Sequence, residues 1–351
     1  MPLCYHPEVK KDKSQRIVAE IGLTHEGSVG FAENFIKCAK ANGADTIKFQ
    51  MHDADAESSP QETFRIHFSK QDDTRQEYWR RTSFSSKNWH FLIQLCEEIN
   101  VMPQISVFSS DSLKFALELG ISQIKLGSGD LCNAELAESI NEYFKDNKNL
   151  ELTLSTGMAT WSEIDGAMDA YSNLLKHDKL ILLQCTSMYP TPLEKVGIDS
   201  MLKMKKKYNV RVGLSDHTPN LSSAYLALAL GAEVIEKHVC FDRRMFGPDI
   251  SSSITFGELE TLCKYRDDLA ILFNKSDKDS ISGELIEQKR VFGRSLSLRK
   301  SLKVGEMAQL EDFVLVKPGG GLDWSTRNLL VGKRASRDVE KGQIIEMSWF
   351  A

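Results

Sequence analysis

Two histidines, His217 and His238, each stand at or near the end of an apolar, strand-like run, Val210–Thr218 and Glu233–Val239. Neighbouring strands lie about 4.8 Å apart, so imidazoles at matched depth on adjacent strands can share one metal ion. Two imidazoles completed by oxygen ligands suit Mn, Fe, Co or Zn better than Ca. The alternative is that each histidine satisfies a hydrogen bond in the core. Lys48 and Lys125 sit inside or at the ends of apolar runs, where a lysine is rare unless paired. Two converging lysines, with the hydroxyl and amides of Gly127-Ser128-Gly129, can hold a phosphate and a carboxylate. The alternative is a buried structural pair with Glu20 or Glu236. Glu20 is either a general base that positions a water or the structural partner of Lys48. Asp249, after Gly247-Pro248, is either a further site carboxylate or a turn cap.

These residues need a scaffold that delivers strand ends to one place. The remaining apolar runs carry polar residues in the same way. Val18–Gly22 carries Glu20, Thr46–Gln50 carries Lys48 and Gln50, and Ile105–Phe108 encloses Ser106. Leu152–Gly157 carries Ser155, and Leu180–Ser187 ends in Cys185, Thr186 and Ser187. Segments of helical spacing alternate with them, among them Phe31–Ala41, Trp89–Ile99, Asp111–Leu119, Ala134–Phe144, Ile198–Lys206, Leu221–Leu230 and Phe256–Phe273. Thr160 and Glu163 have the spacing of a capping box. The pattern predicts an α/β protein, a (β/α)8 TIM barrel whose active site lies at the carboxyl ends of its strands. Met51–Ser86 interrupts the rhythm with a charged, aromatic insertion containing Arg65, His67, Arg75, Tyr78, Trp79, Arg80 and Arg81. Long loops in compact domains are commonly functional lids.

The chain has 351 residues, enough for one barrel and a smaller module. We divide it into a barrel over residues 1–275, a polar linker over 276–285 and a small β-rich domain over 286–351. The third part shows short strand signals at Ser295–Leu298, Phe313–Val316 and Lys333–Ala335. The net charge of -5 gives no reason to expect nucleic acid as a partner. No apolar run reaches the roughly 18 residues of a membrane span, and Met1–Ser14 has no signal-peptide core. The 7 cysteines are odd in number and contain no CxxC, which favours reduced thiols and a cytoplasmic location.

The motifs AEIGLTHEG (Ala19–Gly27), GADTIKFQ (Gly43–Gln50), KLGSGD (Lys125–Asp130), LSTGM (Leu154–Met158), QCTSMYPTP (Gln184–Pro192), GLSDHT (Gly213–Thr218), ALGAEVIEKH (Ala229–His238) and GPD (Gly247–Asp249) resemble the sialic acid synthase family. The region from Gly293 to Arg334 resembles that family's C-terminal antifreeze-like (SAF) domain. The resemblance implies condensation of phosphoenolpyruvate with an open-chain N-acylated amino sugar such as N-acetylmannosamine. The product is a nine-carbon α-keto acid, and phosphate leaves by C–O cleavage. It implies a divalent metal, Mn or Mg, on His217 and His238. Lys48, Ser106, Lys125, Ser128, Ser155, Ser187 and Ser215 match positions that contact phosphoenolpyruvate, and Glu20 handles water or proton transfer. Gln50, Tyr189 and Asp249 match positions that hold sugar hydroxyls. The family works as a domain-swapped homodimer, the SAF domain of one chain capping the barrel of the other.

Four features depart from the pattern, the charged Met51–Ser86 insertion among them. Asp130 stands where many relatives have Glu, and Ser187 where some have Asn. Lys317-Pro318-Gly319 stands where the family's SAF domain often has Arg-Pro-Gly, and a lysine is a point charge, not a planar fork. The sugar is therefore open between N-acetylmannosamine, its 6-phosphate and a diacetamido deoxysugar of the legionaminic or pseudaminic type. Arg75, Arg80 and Arg81 either serve a sugar phosphate or form a solvated face. Two other classes stand beside this reading. One is another barrel enzyme, such as a metal-dependent hydrolase or an aldolase with Lys125 as its Schiff base. The other is a catalytically retired barrel kept for binding.

Overall fold

The computed structural model describes residues 15–59, 61–66, 68, 70–273 and 277–351. Met1–Ser14, His67 and the start of the expected linker lie outside the described residues. Contacts divide the chain into two compact units, Met1–Phe273 and Asn274–Ala351.

The first unit is built on β1 (Arg16–Gly22), β2 (Thr46–Met51), β3 (Met102–Val107), β4 (Gln123–Leu126), β5 (Glu151–Ser155), β6 (Leu180–Cys185), β7 (Arg211–Asp216) and β8 (Val234–Cys240). Each strand pairs with the next, and β8 returns in parallel to β1, closing a (β/α)8 barrel. The closure follows from a period-two pattern with two different faces. Residues facing outward, such as Ile17, Ile47, Phe49, Ile105 and Leu152, are fully buried under the helices. Helix Val29–Ala41 covers them with Phe35 and Ile36, and helix Ser86–Glu98 with Leu92 and Cys96. Inside the barrel, Val18, Ile181, Leu183 and Val234 form a small apolar plug. Above this plug, toward the carboxyl ends, the inward positions are almost all polar.

Capping chemistry fixes where helices begin. Thr160 with Glu163 and Thr255 with Glu258 form reciprocal capping boxes at the starts of Trp161–Ala170 and Phe256–Leu272. The insertion after β2 is ordered by the same means. It holds a short helix, Ala54–Glu57, and a second, Arg75–Thr82, opened by a Thr74–Glu77 capping box. Leu23, Ala54, Tyr78 and Trp79 form its own small core. Among the described residues, no helix is long and apolar enough to cross a membrane.

The second unit has an antiparallel strand pair, Ser295–Leu298 with Phe313–Val316, around Leu296, Leu298, Phe313, Leu330, Ile345 and Phe350. The strand expected at Lys333–Ala335 does not form. Arg334 bridges Met307 while Ala335 bridges Phe350, so two different partners break the ladder. The polar stretch expected as a linker contains a helix, Lys278–Glu284, capped by Asp277, whose side chain accepts from the Ser280 amide at 2.8 Å. Composition hid it because a helix exposed on every side is as polar as a linker.

Candidate active site

Strand register assembles the site in rows. Lys48 on β2 lies beside Glu20 on β1, and Glu20 beside His238 on β8. Gln50 lies beside Ser106, and Ser106 beside Lys125. Cys185, Ser215 and Glu236 form a third row across β6, β7 and β8. His217 follows one residue after the end of β7, which brings its ring centroid 5.6 Å from that of His238. Every candidate residue of the barrel borders one cavity of about 450 Å³: Glu20, Lys48, Gln50, Ser106, Lys125, Ser128, Asp130, Ser155, Ser187, Tyr189, Ser215, His217, His238 and Asp249. Lys317 belongs to the second unit, where its Nζ lies 5.6 Å from the Phe292 ring centroid.

Two glycines make the crowding possible. Gly22 has φ +56° at a bulge in β1, and a Cβ there would stand 3.3 Å from Glu20 Oε1 and 3.6 Å from the His238 ring. Gly157 donates its N–H to Ser128 Oγ at 2.9 Å, and a Cβ there would stand 2.5 Å from Ser187 Oγ.

Lys48 takes the paired reading, and with both carboxylates at once. Its Nζ lies 2.8 Å from Glu20 Oε2 and 2.8 Å from Glu236 Oε1. Burial brings its pKa down to about 8 even though Glu236 pulls it up. Burial alone would raise the Glu236 carboxyl, but Lys125 and Lys48 hold it well below the usual carboxylate range. Ser215 Oγ donates to Glu236 at 3.0 Å. Lys125 differs from Lys48. Its Nζ donates to the Leu126 carbonyl at 3.0 Å, and although its charge acts on Glu236, no carboxylate is in ion-pair contact with it among the described residues. A buried lysine with no direct ion pair has donors left for an anion.

The histidines present ligand atoms. Burial, reinforced at His217 by the neighbouring His238 ring and at His238 by Lys48, brings both down to about 3, so both rings are neutral at pH 7. His217 Nδ1 lies 3.2 Å from the Thr186 carbonyl, which fixes the proton there and leaves Nε2 its lone pair. His238 Nδ1 is buried with no hydrogen-bond partner. A metal–nitrogen bond of about 2.1 Å puts each ring centroid roughly 3 Å from an ion, so the observed separation suits a shared metal. Among the described residues, no group of three or more His, Cys, Asp or Glu side chains could hold a metal ion. The protein offers a pair, and the residues present fit an ion whose shell is completed by other oxygens.

The insertion supplies a wall that sequence reasoning did not assign to the site. Arg65 donates to Asp249 Oδ1 at 2.8 Å and to the Pro248 carbonyl at 3.1 Å. Its guanidinium lies 4.0 Å over the Tyr189 ring, which stacks on His217 at 4.0 Å. Phe64, Phe68, Tyr78 and Trp79 add an apolar surface, and His52 also borders the cavity. Arg75 pairs with Glu62, Arg80 with Asp55, and Arg81 with Asp72 and Glu26. The aromatic content of Met51–Ser86 was the available signal for this wall; its partners were not readable.

The match to known proteins is consistent along the chain. Residues 35–278 match the model of the NeuB family. The chain belongs to the NeuB family. That is the sialic acid synthase family which the motifs resemble, and membership makes this chain an enzyme, a synthase of the nonulosonic acid type. It is similar to an N,N'-diacetyllegionaminic acid synthase from Legionella pneumophila, at 30% identity over 333 residues, covering 93% of this chain and 92% of that one. It is similar to human N-acetylneuraminate-9-phosphate synthase at 27% identity, covering 94% and 90%. Among solved structures it resembles an N-acetylneuraminic acid (sialic acid) synthetase from Leptospira borgpetersenii in complex with citrate. That match has a TM-score of 0.66 and 25% identity, covering 82% of this chain and 97% of the other.

Proposed function

We propose that this NeuB-family chain condenses phosphoenolpyruvate with a neutral N-acylated amino sugar, such as N-acetylmannosamine, to a nine-carbon α-keto acid and inorganic phosphate. The observation that carries the reading is Lys125, a buried cation in the cavity with no carboxylate in direct contact among the described residues. Lys125 and Lys48, with the hydroxyls of Ser106, Ser128, Ser155, Ser187 and Ser215, bind the phosphate and carboxylate of phosphoenolpyruvate. A divalent ion, Mn or Mg, held by His217 and His238, supplies Lewis acidity toward a carbonyl oxygen, and positive charge that two lysines balanced by Glu20 and Glu236 do not. C3 of phosphoenolpyruvate attacks the sugar aldehyde, whose oxygen takes a proton and becomes a hydroxyl. Water adds at C2, and Glu20 holds or accepts the proton it releases. The tetrahedral carbon then expels phosphate and becomes the ketone.

Gln50, Tyr189 and Asp249 hold the sugar hydroxyls, with Asp130 bordering the same space. Each arginine of the insertion, Arg65, Arg75, Arg80 and Arg81, is already paired with a carboxylate, which favours a sugar without a phosphate. A second reading, a 2,4-diacetamido deoxysugar, is favoured by the apolar wall of Phe64, Phe68 and Trp79. The 30% identity to the diacetyllegionaminic acid synthase, against 27% to the human 9-phosphate synthase, points the same way. The small size of the second domain, marginal alone, supports a homodimer in which an SAF domain caps the partner's barrel, with Lys317 in place of the family's Arg toward the acyl group. The composition supports a cytoplasmic enzyme.

The test is phosphate release from phosphoenolpyruvate with Mn present, run against N-acetylmannosamine, its 6-phosphate and a 2,4-diacetamido hexose. Release with one of the neutral sugars, abolished by chelator, is expected. Release with the 6-phosphate alone would overturn the neutral-sugar assignment.

A further inference from the structure

His52 follows β2 by one residue, and its imidazole lies flat between two aromatic rings. Trp79 stacks on one face at 3.9 Å and 9°, and Phe108 on the other at 4.3 Å and 7°. The ring is therefore held in its plane, and only its two nitrogens are left to define its role. Nδ1 contacts Glu57 Oε1, on the short helix of the insertion. Nε2 lies 3.2 Å from Gln50 Oε1. Gln50 in turn donates from Nε2 to Glu20 Oε1 at 3.0 Å, while the other oxygen of Glu20 meets Lys48 at 2.8 Å.

A glutamine amide has one donating and one accepting end, and nothing in its own shape fixes which way round it sits. Glu20 requires the donating end. The reverse orientation would set the amide oxygen against the carboxylate oxygen and leave Glu20 without that hydrogen bond. His52 Nε2–H, facing the amide oxygen, holds the correct orientation by donating to it; because Nδ1 also faces an oxygen, the proton of the Nδ1–Glu57 contact lies between those two atoms and keeps Nε2 the donor. We propose that His52 is a positioning residue of the synthase reaction, acting on Glu20 through the Gln50 amide. The chain Glu57–His52–Gln50–Glu20 thus ties the insertion to the group that handles the proton of the attacking water. This inference rests on the synthase reading above.

The test is steady-state phosphate release by variants whose folding is first checked by thermal melting. His52→Phe keeps the aromatic sandwich and removes both ring nitrogens. It is expected to lower kcat on the order of tenfold to a hundredfold, because misplacement of a catalytic group acts on turnover, and to leave KM for phosphoenolpyruvate nearly unchanged. In a Gln50→Ala background the same substitution should add nothing to the residual rate. His52→Gln and His52→Met are equal in length and both lose the ring, but only Gln can donate. His52→Gln should retain more turnover than His52→Met, a comparison that stands even if His52→Phe does not fold. Wild-type turnover in His52→Phe, an equal loss in both backgrounds, or equal Gln and Met variants would overturn the role of His52. A wild type that turns over with no sugar would instead overturn the synthase reading.

Discussion

Strands β7 and β8 carry two buried polar clusters, one on each face, and they differ in completeness. On the outer face Asp216 and Lys237 are 2% and 0% exposed and lie 3.1 Å apart. Asp216 also accepts from the Thr218 amide at 2.9 Å and from Ser223 Oγ at 2.6 Å, and Lys237 donates to the Thr218 carbonyl. On the inner face Ser215, His217, Glu236 and His238 are as deeply buried, yet His238 Nδ1 has no partner. Across the barrel, Ser155 Oγ has none either, and Lys125 has no carboxylate in direct contact among the described residues. Burial of charge alone therefore does not mark function in this molecule. What separates these two clusters is polar capacity left over on the inner face, at groups that line one cavity, where a ligand can offset the deficit.

The contrast is open to being broken. Lys125→Met removes the inner cation that has no direct ion pair. Turnover per Km for phosphoenolpyruvate should fall on the order of a thousandfold, and the melting temperature should fall less than in Asp216→Ala, because no direct ion pair is lost and Glu236 keeps Lys48. Asp216→Ala should do the reverse. It leaves Lys237 buried and alone, which costs about 3–5 kcal/mol, while the molecules that remain folded keep their turnover. Denaturant titration with matched kinetics checks both, and replacing both outer residues by Leu and Met should restore most of the stability.

A smaller effect comes from pH. His25, His217 and His238 are each lowered to about 3, mainly by burial, against 6.5 for an ordinary histidine. The unfolded chain binds protons on these groups near pH 6.5, and the folded chain binds them only near 3. Stability is thus full above 6.5 and is lost as pH falls through that value, by up to about 1.4 kcal/mol per pH unit for each histidine. Unfolding free energies at pH 7.5, 6 and 5 would show the slope, and His238→Asn should flatten it. The smallest effect is expected at Gly157. In Gly157→Ala the new methyl would press on Ser187 Oγ, Ser128 Oγ and the buried Cys185 Sγ at once, raising KM for phosphoenolpyruvate by about two- to tenfold and costing about 1 kcal/mol of stability.

Much of the inner cluster was legible in the sequence because a parallel barrel turns strand position into spatial position. Lys48, Lys125, His217 and His238 stand near the ends of apolar runs, and the register then fixes their neighbours. What was not legible lies where side chains choose partners across long sequence distances. The Arg65–Asp249 pair joins residues 184 apart, and nothing in either segment specifies the other. His52 follows a strand directly, but its sandwich depends on Trp79 and Phe108 from two other elements. The helix Lys278–Glu284 was missed for a different reason, since an isolated exposed helix has no apolar face to read.

The most direct test of the account is the fate of the bridging oxygen of phosphoenolpyruvate. With that oxygen labelled as 18O and the sugar that supports turnover, the label should leave in inorganic phosphate, as C–O cleavage at the inner cluster requires. Label retained in the keto acid, or turnover without phosphate release, would contradict it.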